Sequence, residues 1–226
     1  MLPALSTPKP ASPWYRRSPM EDPWLSWAKR LHAIASTGLH YGQADYDRVR
    51  YQEVAAIAAD MFTALAGTPL PPIGKLFPDF ANGYATPKVD VRGAVFQGDR
   101  ILLVREISDG LWTLPGGFAD VGISPSENVV KEVREEASVR VTVKALYGVR
   151  HKAKHEYKPD LMDIYRMFFL CERIDGADPK PGLETSDARF FAADALPPLS
   201  TGRTLSKDIA AAFAARDNPM WVVYFD

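Results

Sequence analysis

Gly116-Gly117-Phe118-Ala119-Asp120-Val121-Gly122-Ile123-Ser124-Pro125-Ser126-Glu127-Asn128-Val129-Val130-Lys131-Glu132-Val133-Arg134-Glu135-Glu136-Ala137-Ser138-Val139 is the stretch on which the reading of this chain turns. Its second half opens with a marked helix start. Ser124 and Glu127 have the spacing of a reciprocal capping pair, and Pro125 stands at the first helical position, where its missing N–H costs nothing. With the register fixed, about 100° per residue puts Val129, Val130, Val133 and Ala137 on one face and Glu132, Glu135 and Glu136 on another. Like charges at this spacing cost a helix roughly a few tenths of a kcal/mol per pair. They also stand toward the C-terminal half, where the macrodipole disfavours anions. A bound divalent cation reverses both effects. Hard oxygen donors suit Mg²⁺ or Mn²⁺, which can hold phosphate oxygens as well. The alternative is a solvated acidic face supported by Lys131 and Arg134. The preceding loop, Leu114-Pro115-Gly116-Gly117, favours the metal, because adjacent glycines permit positive φ and close approach of the backbone to an ion or a phosphate.

These residues resemble the Nudix box: a glycine, five residues, a glutamate, seven residues, then R-E-U-x-E-E-x-G-U with U aliphatic. Gly117 takes the glycine position, and Glu132, Val133, Glu135, Glu136 and Val139 match in place. Ile123 stands where the box has its first glutamate, Lys131 replaces the arginine and Ser138 the last glycine. Lys131 keeps the charge but not the bidentate fork. Glu127 is a substitute for the missing glutamate or, on its spacing, a capping residue. The resemblance implies a metal-binding catalytic helix with Glu132, Glu135 and Glu136 as catalytic and metal residues, joined by the Gly116 carbonyl.

The similarity extends outward. Segments 24–29 and 46–51 are similar to a small helical domain that precedes one bacterial Nudix subgroup, and segments 83–93, 190–191 and 196–200 fit it too. The match covers about residues 20–215. That subgroup implies a CDP-choline or ADP-ribose pyrophosphatase, CDP-choline first, releasing a nucleoside monophosphate and working as a homodimer.

The surrounding sequence reads as follows. Residues 1–19 form a proline-rich tail, 20–68 a helical hairpin, 69–86 a linker and 87–226 the catalytic α/β/α sandwich with a mixed sheet. Trp24, Trp27, Leu31 and Ile34 recur at helical spacing after Pro23, and Gly38 suits the end of that helix. A second helix is expected over residues 44–65, with Gly67 as its stop. Strands are expected at 89–96, 101–104, 139–149, 164–172 and 188–192, with a turn at 97–100, a late helix at 205–215 and an apolar C-terminal stretch at 220–225. Strands and helices alternate irregularly, with hairpins, which points to a mixed sheet and away from a doubly wound parallel one.

Several further residues are candidates. Arg92, Trp112, His151, Lys152 and His155 form a substrate-binding set. The two histidines and Lys152 lie in a basic loop that either grips phosphates or is simply solvated. Trp112 stacks on a base or packs in the core. Glu156, Glu184 and Asp187 are possible general bases. Cys171, the only cysteine, lies in an apolar run and reads as core, with a catalytic thiol the alternative.

The chain has 226 residues, 46% apolar, with 27 basic and 28 acidic side chains and a net charge of −1. Such a balance gives no long-range field for nucleic acid or an anionic membrane, so an anionic substrate is captured locally. One cysteine excludes an internal disulfide and suits the reducing cytoplasm. No run approaches the roughly 18 apolar residues of a membrane span, and the N-terminus lacks the apolar core of a secretory signal. The expected partner is a small nucleotide. The rival readings are a nucleotide-binding regulatory module that has lost turnover, and an RNA-processing pyrophosphohydrolase, which the neutral charge disfavours.

Overall fold

Strand β1 (Lys88–Gln97) is the hinge line of a mixed sheet in a computed structural model that describes residues 21–67, 73–77 and 79–226. The expected tail at 1–19 and the proline-rich residues 68–72 lie outside the described residues. On one side β1 runs parallel to β5 (Ile164–Arg173), which is antiparallel to β4 (Val141–His151). The short edge strand β7 (Tyr224–Phe225) lies parallel to β4. At its far end β1 turns antiparallel into β2 (Arg100–Glu106), which also pairs with β3 (Trp112–Thr113) and β6 (Thr185–Ala192).

The two-residue period of strands sorts side chains into two cores. Val91, Val95, Leu102 and Val104 face helix α4 (Pro125–Ala137) through Val129, Val133 and Ala137. Ala94, Ile101 and Leu103 face helix α5 (Ser206–Asp217) through Ile209 and Ala212. This is the α/β/α arrangement that the sequence pattern predicts. Each fully buried valine or leucine contributes roughly 1.5–3 kcal/mol, several times the repulsion between two glutamates on a helix. The valine face therefore sets the rotation of α4, and with it the direction of the carboxylates. Cys171 belongs to the α4-side core, where burial pushes its thiol up to about 12. A thiol so placed is a core residue, not a nucleophile.

The hairpin pairs α1 (Pro23–Tyr41) with α2 (Asp45–Ala66). Asp22 caps α1 by accepting from the Trp24 and Leu25 N–H groups. Gly38 does not end α1. A Cβ there would lie 2.5 Å from the Tyr51 ring, so this glycine serves the close approach of α2, and the helix runs on to Tyr41. Gly67, at φ 64°, does end α2. A four-residue helix, α3 (Ile73–Leu76), lies within the segment read as linker. The hairpin core is small: Leu25, Ala28 and Phe62, with Met61, Phe77 and Leu161 packed around them.

Boundaries differ from expectation where side-chain chemistry overrides the apolar pattern. Ser138 takes a left-handed φ of 56° as the C-cap of α4, so β4 starts at Val141, not at 139. Strand β2 runs past Val104 to Glu106, and β6 begins at Thr185, not at 188. Of the apolar C-terminal stretch only Tyr224–Phe225 pairs. Among the described residues no helix is long and apolar enough to cross a membrane.

Candidate active site

The loop before α4 is stitched to β1. Gly93 N–H donates to the Pro115 carbonyl at 2.9 Å and Val91 N–H to the Gly117 carbonyl at 2.8 Å. Between them Gly116 adopts φ 145°, and a Cβ would fall 1.9 Å from the Val91 carbonyl oxygen. No other residue fits. This conformation aims the Gly116 N–H at the Glu136 carboxylate, 2.8 Å away. At the other end of the loop, Asp120 N–H donates to Asn128 Oδ1 at 2.7 Å, tying the loop to the first turns of α4. The reciprocal Ser124–Glu127 capping box is present, which settles Glu127 as a capping residue.

Glu136 is 6% exposed. Burial pushes its carboxyl up to about 8, against the pull of Arg92 and the Gly116 N–H, with Glu106 and Glu132 adding to the rise. Burial also raises Glu132, against the pull of Lys131. Glu135 is more exposed and lies 2.9 Å from Lys131 Nζ, which also reaches Asp120 at 3.1 Å and Glu132 at 3.4 Å. Hydrogen bonds that it donates to Glu135 and Asp120 hold that ammonium above the usual lysine range. Among the described residues no three His, Cys, Asp or Glu side chains converge on one ion-sized point. The Lys131 ammonium stands between Glu132 and Glu135 and supplies the charge. The donor set nonetheless suits a hard divalent ion. Two of its carboxylates are costly to ionise where they stand, and a cation offsets that cost.

These carboxylates line a cleft of about 970 Å³. Its floor carries Arg92 and Arg166, both buried and sharing Asp90: Arg92 at 2.9 and 2.7 Å, Arg166 at 2.9 Å. Burial raises the Asp90 carboxyl, but the two guanidinium groups hold it below the usual range. Two cations on one carboxylate leave a surplus positive charge facing Glu136.

The NUDIX domain family matches residues 86–213, the span that builds this cleft. The chain is a Nudix hydrolase. A second family, described as a UDP-X-like N-terminal oligomerisation domain, matches residues 22–77, which cover the hairpin. YjhB of Bacillus subtilis, provisionally named an ADP-ribose pyrophosphatase, is 40% identical over 207 residues, 92% of this chain and 99% of its own. An ADP-ribose pyrophosphatase structure from Streptococcus suis is 40% identical with a TM-score of 0.56, covering 62% of this chain and all of that one. A UDP-X diphosphatase structure is 29% identical with a TM-score of 0.58, covering 90% of this chain and 98% of that one.

Within the Nudix cleft the remaining candidates divide. Lys152 lines it, but its ammonium is held by Asp160 at 2.6 Å, and burial lowers its pKa against that pairing. Arg92 lies in the floor with its donors engaged by Asp90 and the Leu114 carbonyl. Glu184 is exposed on the rim. Glu156 instead pairs with Lys207 at 3.2 Å, and Asp187 with Arg189 at 2.6 Å; neither lines the cleft. His155 is bonded to Asp226 at 3.0 Å, and His151 lies 3.3 Å from Asp163, both outside the cleft lining. Trp112 is packed in the α5-side core, edge-on to Phe191 at 4.7 Å, which removes it as a base-stacking residue.

Lys158, beside the basic loop and read with it as able to grip phosphates, lines the cleft, while the sequence reading missed Glu106, Arg166 and Arg203. Glu106 is 7% exposed in the cleft wall, 3.3 Å from Arg203 Nε. Its signal was the strand period: Leu102, Val104 and Glu106 alternate onto one side, and a carboxylate at the inward position of an apolar strand is informative.

Proposed function

We propose that this Nudix enzyme hydrolyses the pyrophosphate bond of a nucleoside diphosphate joined to a second group and releases a nucleoside monophosphate. The observation that carries this is the make-up of the cleft. The carboxylate face of α4 shares a cleft of about 970 Å³ with cationic Lys158 and Arg203 and with apolar Phe118, Leu161 and Met162. Anionic, metal-seeking groups thus line the same space as groups suited to phosphates and to a base or sugar. The space is in the range of a nucleotide-sized ligand site.

In this reading Glu132, Glu135, Glu136 and the Gly116 carbonyl hold Mg²⁺ or Mn²⁺ once the Lys131 ammonium swings off Glu132 and Glu135. The metal, when bound, neutralises the diphosphate and eases deprotonation of water. The chain's own groups do the rest. Lys158 holds phosphate oxygens, and Arg92, Arg166 and Arg203, whose guanidinium is engaged by Glu106 and Asp109, supply a fixed positive field. Phe118 gives the base or sugar a face to pack on. Of the three candidate bases Glu184 is the one at the cleft. The relatives' names support ADP-ribose ahead of CDP-choline in this reading, the reverse of the order from sequence. The hairpin would make a homodimer, supported by its oligomerisation-domain match and its exposed apolar residues. A reducing, cytoplasmic setting suits the buried Cys171 thiol.

The test is kcat/KM for ADP-ribose, CDP-choline and an oxidised nucleoside triphosphate, with Mg²⁺ and with Mn²⁺. ADP-ribose is expected to lead and to need the metal. A tenfold preference for the triphosphate, about 1.4 kcal/mol of transition-state binding, would overturn the substrate class. Tight nucleotide binding without turnover would support the regulatory-module reading.

A further inference from the structure

Residues 158–162 line the cleft, and Asp163, which follows them, is tied to β1 by the Lys88 N–H, which donates to its carbonyl at 2.9 Å, and lies 3.3 Å from His151 Nε2 on β4. Lys158 N–H donates to the Thr201 carbonyl at 3.0 Å, and Met162 N–H to Asp160 Oδ1 at 3.2 Å. Lys158, Asp160 and Met162 line the cleft on the inner side. The outer side rests on the hairpin. Leu161 packs on the cluster of Leu25, Ala28 and Phe62, although it also lines the cleft. Asp163 Oδ1 lies 3.1 Å from Lys29 Nζ on α1.

Lys29 is 7% exposed, an unusual place for an ammonium, and it is neutralised there by Asp163 and by Glu21 at 2.5 Å. Desolvating a charge is costly unless partners are fixed around it. The arrangement therefore specifies where Asp163 sits. The same side of α1 carries Leu25, Lys29, His32 and Ser36, spaced at three and four residues. Ser36 Oγ accepts from the Ala81 N–H at 2.9 Å, so this face also holds the segment that leads into β1. Three residues before Asp163, Asp160 holds the Lys152 ammonium in the cleft. Lys29 thus holds Asp163 at one end of the segment, and Asp160 within it holds Lys152.

We infer that the hairpin, apart from any part in assembly, holds one wall of the catalytic cleft, with Lys29 as the positioning residue acting through Asp163 on residues 158–163. The inference rests on the cleft reading given under Proposed function. It predicts an effect on substrate affinity and not on the chemical step, because the α4 glutamates lie on another wall and make no contact with Lys29.

The test compares the full-length protein with Lys29→Met, Lys29→Arg and Asp163→Asn. Three readouts are used: steady-state kinetics on ADP-ribose with Mg²⁺, sedimentation, and amide hydrogen exchange. Lys29→Met and Asp163→Asn should raise KM by about tenfold while kcat stays within about threefold. Sedimentation should be unchanged. Exchange at residues 158–163 should quicken by about tenfold, with α4 unaffected. Lys29→Arg should restore affinity and protection. Unchanged KM and unchanged exchange in a folded Lys29→Met protein would overturn the inference. So would a joint fall of kcat and KM effects that appears only when the assembly dissociates, since the hairpin would then act through assembly alone. If Lys29→Met does not fold, Asp163→Asn decides on the same criteria. If the unmodified protein turns over none of the substrates, the proposed reaction fails, while the exchange comparison still decides whether Lys29 holds the wall.

Discussion

Helix α4 and the hairpin each contain residues that folding alone would not choose, and the two departures are opposite. Helix α4 buries charge: Glu136 is 6% exposed beside Glu132 and Glu106. The hairpin exposes apolar surface: Trp24, Tyr41, Tyr46 and Val49 are each about 60–70% exposed. A carboxylate made costly by burial asks for a cation. An apolar stripe left in water asks for another protein surface. The comparison teaches that a frustrated position identifies the kind of partner by the sign of its frustration, before any partner is seen.

The largest effect should come from removing the charge on α4. Glu136→Gln and Glu132→Gln are each expected to lower kcat roughly 100-fold or more, the scale of losing an acid–base or charge-stabilising group. The melting temperature should hold or rise, because a costly carboxylate has gone. Near-normal kinetics in both variants would break the assignment of α4 as the metal helix.

The hairpin counterpart is Val49→Asp combined with Ile57→Asp, on the exposed side of α2. The pair should weaken self-association by about 100-fold, near 2.7 kcal/mol, with little change in far-ultraviolet circular dichroism. Analytical ultracentrifugation that finds the unmodified protein monomeric at micromolar concentration would remove the hairpin side of the comparison.

A smaller effect links pH to metal. The folded-state value of Glu136, about 8, lies above the ordinary 4.5. Its contribution to stability is therefore fully present below pH 4.5 and is lost as pH rises through 8. Melting of the metal-free protein should fall across that window, at about 2–4 °C per kcal/mol for a chain of this size. Mg²⁺ should restore it more at pH 8 than at pH 5, and Glu136→Gln should flatten the profile. Equal Mg²⁺ stabilisation at both pH values would contradict the charge argument.

The smallest effect marks where α4 obeys ordinary folding rules. Ser124→Ala removes the cap and should cost about 1 kcal/mol, read in urea unfolding, with kcat unchanged. A large loss of activity at constant stability would show that the N-terminal half of the helix also belongs to the chemistry.

Much of this was legible in the sequence. The capping box, the valine face and the glutamate face of α4 follow from local spacing, and local spacing is what a sequence records directly. Gly67 was legible as a stop because the left-handed region is a local property. Gly38 was misread because its reason lies on another helix, in the Tyr51 ring. Trp112 and the histidines failed for the same cause: whether an aromatic or a basic side chain faces a cleft depends on strand pairing over long separations. The Asp90–Arg92–Arg166 floor joins residues 76 apart, and no local pattern announces it. The Lys131–Asp120 pair shows how the loop and the helix are joined here, with Ile123 standing at the usual glutamate position.

The seating of Gly116 against the Val91 carbonyl bears on how this scaffold can change. A methyl group at that position would collide with backbone that has nowhere to go. Position 116 is therefore closed to variation, and drift or directed selection that alters it should yield misassembled protein sooner than new specificity. Gly182 carries the same lock, since a Cβ there would fall 1.8 Å from the Glu135 carbonyl oxygen, whereas Phe118 and Leu183 line the cleft with exposed side chains. A library aimed at a different nucleotide should leave Gly116 and Gly182 untouched and spend its diversity on Phe118 and Leu183.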